Sequence, residues 1–386
     1  MTSSLRAKTL TFSLGVCALG IIFGAVEITM RATIALSDQF RLRYAFSDEL
    51  LNEIIPKTNA RAWPRLTLLT STPKPTHLPP NFVTPVTLIE TGNFAVNSSD
   101  TGFSGAPNGQ GTAKLVDSNN ATIYSVKIQN DRDGFRVLDI ANPERAPALF
   151  LGCSITWGEG VEAEQTFGAV FGREQKQFQP HLYAFRGWGP GNVLRLTRRP
   201  TFGGGKKVKT GIAIYTYIDH HLARVTGSSS MTGQHSRWLW AMPSYREGPA
   251  GLIDEGFFQP AHPLLTAFYS AYQRVVINSA LLGSVLPQLP IFNAADVDLT
   301  ISILDEIRRN IESKTGISRF YVAIYPGSFT ARWLVPRLKA RGIAVLDYSK
   351  FPIDEFASPS RIPFDGHPTP AAQEAYGKLL ARDLAE

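Results

Sequence analysis

Leu149-Phe150-Leu151-Gly152-Cys153-Ser154-Ile155-Thr156-Trp157-Gly158-Glu159-Gly160-Val161 reads as an apolar strand that stops abruptly at Gly-Cys-Ser and then turns. A serine at that point is lifted out of the strand end, so its hydroxyl faces outward instead of into the core. Far downstream, Phe364-Asp365-Gly366-His367-Pro368 packs an acid and a base into one short loop just ahead of a C-terminal helix. Ser154, His367 and Asp365 are the residue types of a nucleophile, its base and the group that orients the base.

Working outward from that strand, residues 146–386 alternate strand and helix. Apolar runs at Ala148–Cys153, Leu182–Phe185, Gly211–Tyr217, Phe320–Tyr325 and Ile343–Tyr348 are separated by helical stretches such as Asp296–Ser313 and Ala331–Arg341, the second carrying Pro336. This alternation predicts an α/β fold, a parallel sheet of about five strands with helices on both faces. Working groups in such sheets gather at the carboxyl ends of the strands, where Ser154, Asp365 and His367 all fall. Upstream, Val86–Ile89, Ala113–Val116 and Thr122–Ile128 are β-prone runs broken by Gly, Asn, Ser and Asp, which predicts a small antiparallel β unit over residues 81–145. Asp117-Ser118-Asn119-Asn120 is its hairpin turn, and Asn130–Arg136 is a polar turn leading into the α/β domain.

The N-terminus carries a targeting signal. Behind a tail of residues 1–8, in which Arg6 and Lys8 are basic, residues 9–30 form an apolar stretch long enough to span a bilayer as a helix of ~20 residues. A cleaved signal peptide is the rival reading. As an uncleaved anchor it predicts a single-pass protein of the inner (cytoplasmic) membrane with the bulk of the chain on the periplasmic side. Residues 31–80 read as a juxtamembrane helix followed by a linker rich in Pro and Thr.

Composition narrows the partners. Hydrophobic residues are 44% and charged residues 18%, an ordinary globular balance, with a net charge of +7. The Lys and Arg residues are scattered, without a basic stripe interleaved with aromatics, so no nucleic acid is expected. Cys17 and Cys153 are too far apart in character and position to pair. No metal site is expected: His220 and His221 are adjacent, so an extended backbone turns them to opposite faces. No cofactor is called for. Cys153, the last residue of a buried strand, reads as core rather than as a nucleophile.

The run Gly152–Val161 followed by Gln165-Thr166-Phe167, with the order Ser…Asp-x-His, resembles the first and last blocks of the SGNH (GDSL-like) hydrolase and acyltransferase superfamily, and Asp133–Arg136, Ile218–Arg224, Pro243–Tyr245 and Glu255–Phe257 resemble its exported, membrane-anchored branch of unassigned function. The resemblance implies a flavodoxin-like doubly wound sheet and catalysis by Ser154, His367 and Asp365 on an acyl ester, an acetyl ester foremost, while the expected export points to an envelope polysaccharide as one substrate class. It also implies oxyanion donors at the backbone N–H groups of Ser154 and of Gly187, the latter in Phe185–Asn192. Three departures stand out. Cys153 replaces the block's usual Asp, the acid and base are one residue closer than usual, and Tyr215–Arg224 lacks the Asn that supplies a third donor. His220 or His221 is a further candidate for that role. The missing Asn also leaves open a catalytically inactive binding or scaffold protein on the same fold.

Overall fold

The computed structural model describes residues 16, 18–29 and 86–385, apart from 118, 141, 143, 206, 209, 229–240, 280, 281, 283–288, 290, 291 and 364. The expected tail 1–8 and the juxtamembrane and linker segment 31–80 lie outside the described residues. Of the expected span 9–30, residues 16 and 18–29 are described, and they are helical. Among the described residues no helix is long and apolar enough to cross a membrane.

Among the described residues five short strands come first: β1 (Val86–Gly92), β2 (Ala95–Ser98), β3 (Gly102–Gly105), β4 (Gln110–Asp117) and β5 (Thr122–Gln129). β1, β4 and β5 form an antiparallel sheet in that order, and β2 pairs with β3. Asp117 closes the β4–β5 turn by accepting the N–H groups of Asn119 and Ala121, both at 2.8 Å. Asn120 takes a positive φ of 62° there, a conformation Asn tolerates better than most residues. Along β5 every second side chain is buried, so Tyr124, Val126 and Ile128 face inward.

Seven strands follow among the described residues: β6 (Ala146–Gly152), β7 (Phe178–Ala184), β8 (Ile212–Tyr217), the hairpin β9 (Pro243–Gly248) and β10 (Gly251–Phe257), β11 (Phe320–Ile324) and β12 (Ala344–Asp347). Apart from the hairpin, they build one five-stranded sheet in the order β12-β11-β8-β6-β7. Every pairing in it is parallel. In order of appearance this is the 2-1-3-4-5 arrangement of doubly wound flavodoxin-like folds.

The pleat sorts the core into two halves. Leu149 and Leu151 of β6, with Tyr215 and Val322, join the cluster on one face, while Ala148 and Phe150, with Ile214 and Ala323, join the cluster on the other. Helices cover both faces, as a parallel sheet requires. On the first lie α3 (Pro190–Arg198), α4 (His220–Thr226), α6 (Ala294–Thr315) and α7 (Ala331–Ala340); on the second lie α2 (Phe167–Glu174) and the C-terminal α8 (Pro370–Asp383). The short α1 (Ser154–Trp157) follows β6 directly, and α5 (Pro263–Asn278) follows the hairpin. Pro336 does not end α7, which runs through it as one helix. The β unit shares the first cluster through Phe94, Leu115, Tyr124, Val126 and Ile128, so it is packed on the sheet that carries Ser154.

Phe150 tests this packing. It is fully buried, with its ring edge-on to Phe167 at 5.6 Å and to Phe171 at 5.3 Å. Phe150→Ala should cost about 3–5 kcal/mol. The expected readout is a lower denaturant midpoint with an unchanged m-value.

Candidate active site

The chain leaves β6 toward β7 on one side and returns to β8 on the other, so the strand order reverses beside β6, where α/β folds open a crevice. Ser154 stands at that point as the first residue of α1. Two consequences follow from the helix start. The Ser154 N–H lies in the first turn, where no intrahelical acceptor exists. Its carbonyl is tied down by Gly158 and Glu159, whose N–H groups donate to it at 2.9 and 3.0 Å. A Cβ on Gly152 would collide with Thr156 Oγ1, so glycine is required where the strand bends into the turn.

Arg136 holds the far side of this turn. Asp131 shapes the segment before it by accepting the N–H groups of Asp133 and Phe135, both at 2.9 Å. The buried Arg136 guanidinium then donates to the carbonyls of Trp157 (3.1 Å), Gly158 (2.6 Å) and Val161 (2.7 Å), and lies 4.9 Å from the centre of the Trp157 ring. Burial pulls its pKa down to about 10, against the opposing pull of Glu159 and Glu162. It therefore stays charged near neutral pH.

The structure brings Ser154, His367 and Asp365 together. His367 Nε2 lies 2.9 Å from Ser154 Oγ, and His367 Nδ1 is hydrogen-bonded to Asp365 Oδ1. The loop carrying the pair is closed by Ile362 N–H to the His367 carbonyl (2.8 Å), Gly366 N–H to the Ile362 carbonyl (3.0 Å) and Thr369 N–H to the Ser360 carbonyl (3.0 Å). Gly366 adopts φ 82°, and this left-handed residue makes the one-residue spacing between acid and base workable. A carboxylate at Nδ1 fixes the proton there and leaves Nε2 to accept from the serine hydroxyl. Ser154 is 6% exposed, and Asp365 and His367 are partly buried. On α8, the buried Gln373 accepts the Phe167 N–H (2.9 Å) and donates to the carbonyl of Ile155 (3.1 Å), the residue after Ser154. One side chain thus ties the helix behind His367 to the turn bearing the serine.

Sequence reasoning missed the groups behind Asp365. The Tyr124 hydroxyl on β5 lies 3.5 Å from both Asp365 Oδ2 and Glu159 Oε1. Glu159, 3% exposed, pairs with Arg186, which also pairs with Glu90 on β1. Burial works against the Arg186 charge, but Glu159 and Glu90 outweigh it and hold the guanidinium above its ordinary pKa. Burial, reinforced by Glu159 and Asp365, pushes the Tyr124 phenol well above its ordinary pKa, so it remains a donor. Glu159 and Arg186 sit inside the two quoted sequence blocks, whereas Glu90 and Tyr124 carry no local signal.

The other predicted groups fall as follows. Gly187, with φ 78°, lies just past β7, whose Ala184 is in register with Gly152. Its turn is anchored by Trp188 Nε1 to the Phe103 carbonyl (2.7 Å) and by Asn192, which accepts the Gly189 N–H (2.8 Å) and donates to the Thr101 carbonyl (2.9 Å). His221 is fully buried, its Nδ1 3.0 Å from the Tyr215 hydroxyl and its ring edge-on to Tyr215 and Tyr217. Burial holds its pKa well below the ordinary value, so it is a neutral core histidine. His220 is half-buried at the first position of α4. Asp219 is turned to the loop after β11, where it accepts the N–H groups of Phe329 (2.9 Å) and Thr330 (3.0 Å). Cys153 is free and buried. Among the described residues no group of three or more His, Cys, Asp or Glu is placed to hold a metal ion.

No protein-family model matches the sequence, and no curated protein does. Several solved structures are similar in outline. A member of the lipolytic G-D-S-L family from Veillonella parvula is 11% identical and covers 61% of this chain and 97% of its own, with a TM-score of 0.36. An extracellular lipase from Streptomyces rimosus is 14% identical over 62% of this chain and all of its own, with a TM-score of 0.34. An acetyl xylan esterase from the rumen bacterium Butyrivibrio proteoclasticus is 10% identical over 73% of this chain and 71% of its own, with a TM-score of 0.34. These likenesses are distant, and the chemistry of the site rests on its own hydrogen bonds.

Gln373→Leu should leave the Ile155 carbonyl and Phe167 N–H without this partner and cost about 1–3 kcal/mol. Chemical denaturation beside the wild-type chain checks it.

Proposed function

We propose that this chain is a serine esterase or O-acyltransferase acting on an acyl ester. The observation that carries the proposal is the continuous hydrogen-bonded series from Ser154 Oγ through His367 to Asp365. A serine within 2.9 Å of an oriented histidine favours catalysis over a binding or scaffold role for the fold.

In this mechanism Ser154 Oγ attacks the ester carbonyl carbon as its proton passes to His367 Nε2. Asp365 stabilises the resulting imidazolium through Nδ1–H. The negative charge on the former carbonyl oxygen is met by the Ser154 N–H and the Gly187 N–H. The intermediate collapses, the alcohol leaves with the proton from His367, and the acyl group remains on Ser154. Water then attacks the acyl-enzyme, loses its proton to His367, and releases the acid as the proton returns to Ser154. If a sugar hydroxyl replaces water in the second half, the same groups transfer the acyl chain instead.

The finer assignments follow from the sequence. Residues 9–30, with Arg6 and Lys8 ahead of them, act as a single inner-membrane anchor with the site on the periplasmic side. That location favours the acetyl esters of an envelope polysaccharide as substrate.

The test uses the full chain in detergent with p-nitrophenyl acetate, beside Ser154→Ala and His367→Ala. Each variant should lose at least about a thousandfold in kcat/KM. Equal rates in all three proteins would overturn the proposal.

A further inference from the structure

The exterior of α5 is built like a surface that expects no water. Leu264 is 86% exposed, Phe268 56% and Val275 53%, and Ala271 is exposed between them. At spacings of four, three and four residues they form one stripe along the helix. Leu265, 39% exposed, widens it. The opposite face is seated normally: Tyr269 packs with Met242 and Phe258, and Val276 is fully buried. Large aliphatic and aromatic side chains aligned on an outer face mark an interaction site rather than scatter. The helix carries no acidic residue, and its only charge is Arg274.

A second observation says what covers the stripe. The N-terminal helical residues are apolar and exposed all round: Leu19 (68%), Ile21 (73%), Ile22 (59%) and Ile28 (69%) point in different directions. A helix apolar on every side belongs in a core or a bilayer, and among the described residues no core surrounds it. Its only charged residue among those described, Glu27, accepts a hydrogen bond of 2.7 Å from Ser279 Oγ, at the C-terminal end of α5. The apolar helix and the apolar stripe therefore meet at one corner of the molecule.

We infer that α5 is an interfacial helix whose Leu264–Phe268–Val275 stripe lies in the lipid bilayer surface where the N-terminal anchor leaves it. The inference rests on the proposed anchor. A helix of this length covers about 24 Å of membrane surface, and its one-sided apolar face with a basic residue suits the boundary between head groups and acyl chains. The bilayer, rather than a soluble partner, is the occupant because the stripe leads to a helix whose described residues are apolar on every side save Glu27 and Thr29.

The experiment places a nitroxide spin label at position 264, 268 or 275 of the full chain reconstituted in liposomes, as Leu264→Cys, Phe268→Cys and Val275→Cys on a Cys17→Ser background. A Glu374→Cys label, at an exposed position of α8, serves as the aqueous control. Flotation is scored first, then accessibility to oxygen, which concentrates in lipid, and to a water-soluble nickel chelate. The inference expects the chain to float and the oxygen-to-nickel ratio at all three positions to be several-fold above that at 374. A chain that fails to float overturns both anchor and surface. A floating chain with nickel-accessible labels overturns the surface alone. Labels shielded from both reagents mean that protein covers the stripe, a second copy included, and overturn it as well.

Discussion

The hydrogen bond between His367 and Ser154 joins segments 213 residues apart, so it exists only when the parallel sheet is closed and α8 is docked on its face. Each end of the bond is held by its own set of interactions. At the serine end, Gly152 permits the bend and Arg136 pins three carbonyls of the following turn. At the histidine end, Gly366 turns a loop of minimal length so that acid and base share one side. Gln373 spans the two ends directly. The serine hydroxyl and imidazole thus meet without having to be ordered by substrate, which is the kind of preorganisation that lowers a barrier.

The β unit adds an electrostatic frame. Glu159 is buried near Asp365, and a buried carboxylate without a partner is costly. Arg186 offsets it and reaches on to Glu90 of β1. Tyr124 sits between Glu159 and Asp365 as a neutral donor, separating two carboxylates that would otherwise repel. Asp365 thus has His367 at one oxygen and, 3.5 Å from the other, the Tyr124 hydroxyl, whose one proton it shares with Glu159. Strands that precede Ser154 by some thirty to sixty residues are in this sense part of the candidate site.

Much of this was legible in the sequence where a single local rule governs. The five parallel strands announce themselves as apolar runs because both faces of such a sheet are covered, and β5 shows its alternation because only one face is. Ser154 is marked by the abrupt end of β6, and Asp365 and His367 by their shared loop. What was not legible depends on contacts between distant segments. Tyr124 reads as one more inward residue of β5, and nothing nearby says that two carboxylates meet its hydroxyl. His221 looked available as a donor after β8, but α4 begins at His220 and turns the second imidazole into the core against Tyr215. The β9–β10 hairpin carries little strand signal, since Pro243 opens it and a register shift between Asp254 and Gly256 breaks its alternation. α5 escaped because its outward face is apolar, so it lacks the polar stripe by which a surface helix is recognised.

The most direct measurement is covalent. The full chain is treated with a fluorophosphonate, which labels a serine only when a base activates it, and the labelled peptide is mapped by mass spectrometry. A single adduct on Ser154, lost in His367→Ala, is the predicted result. No adduct on Ser154, or an adduct on Ser244, whose hydroxyl lies 3.1 Å from His262 Nε2, would contradict the assignment of this site.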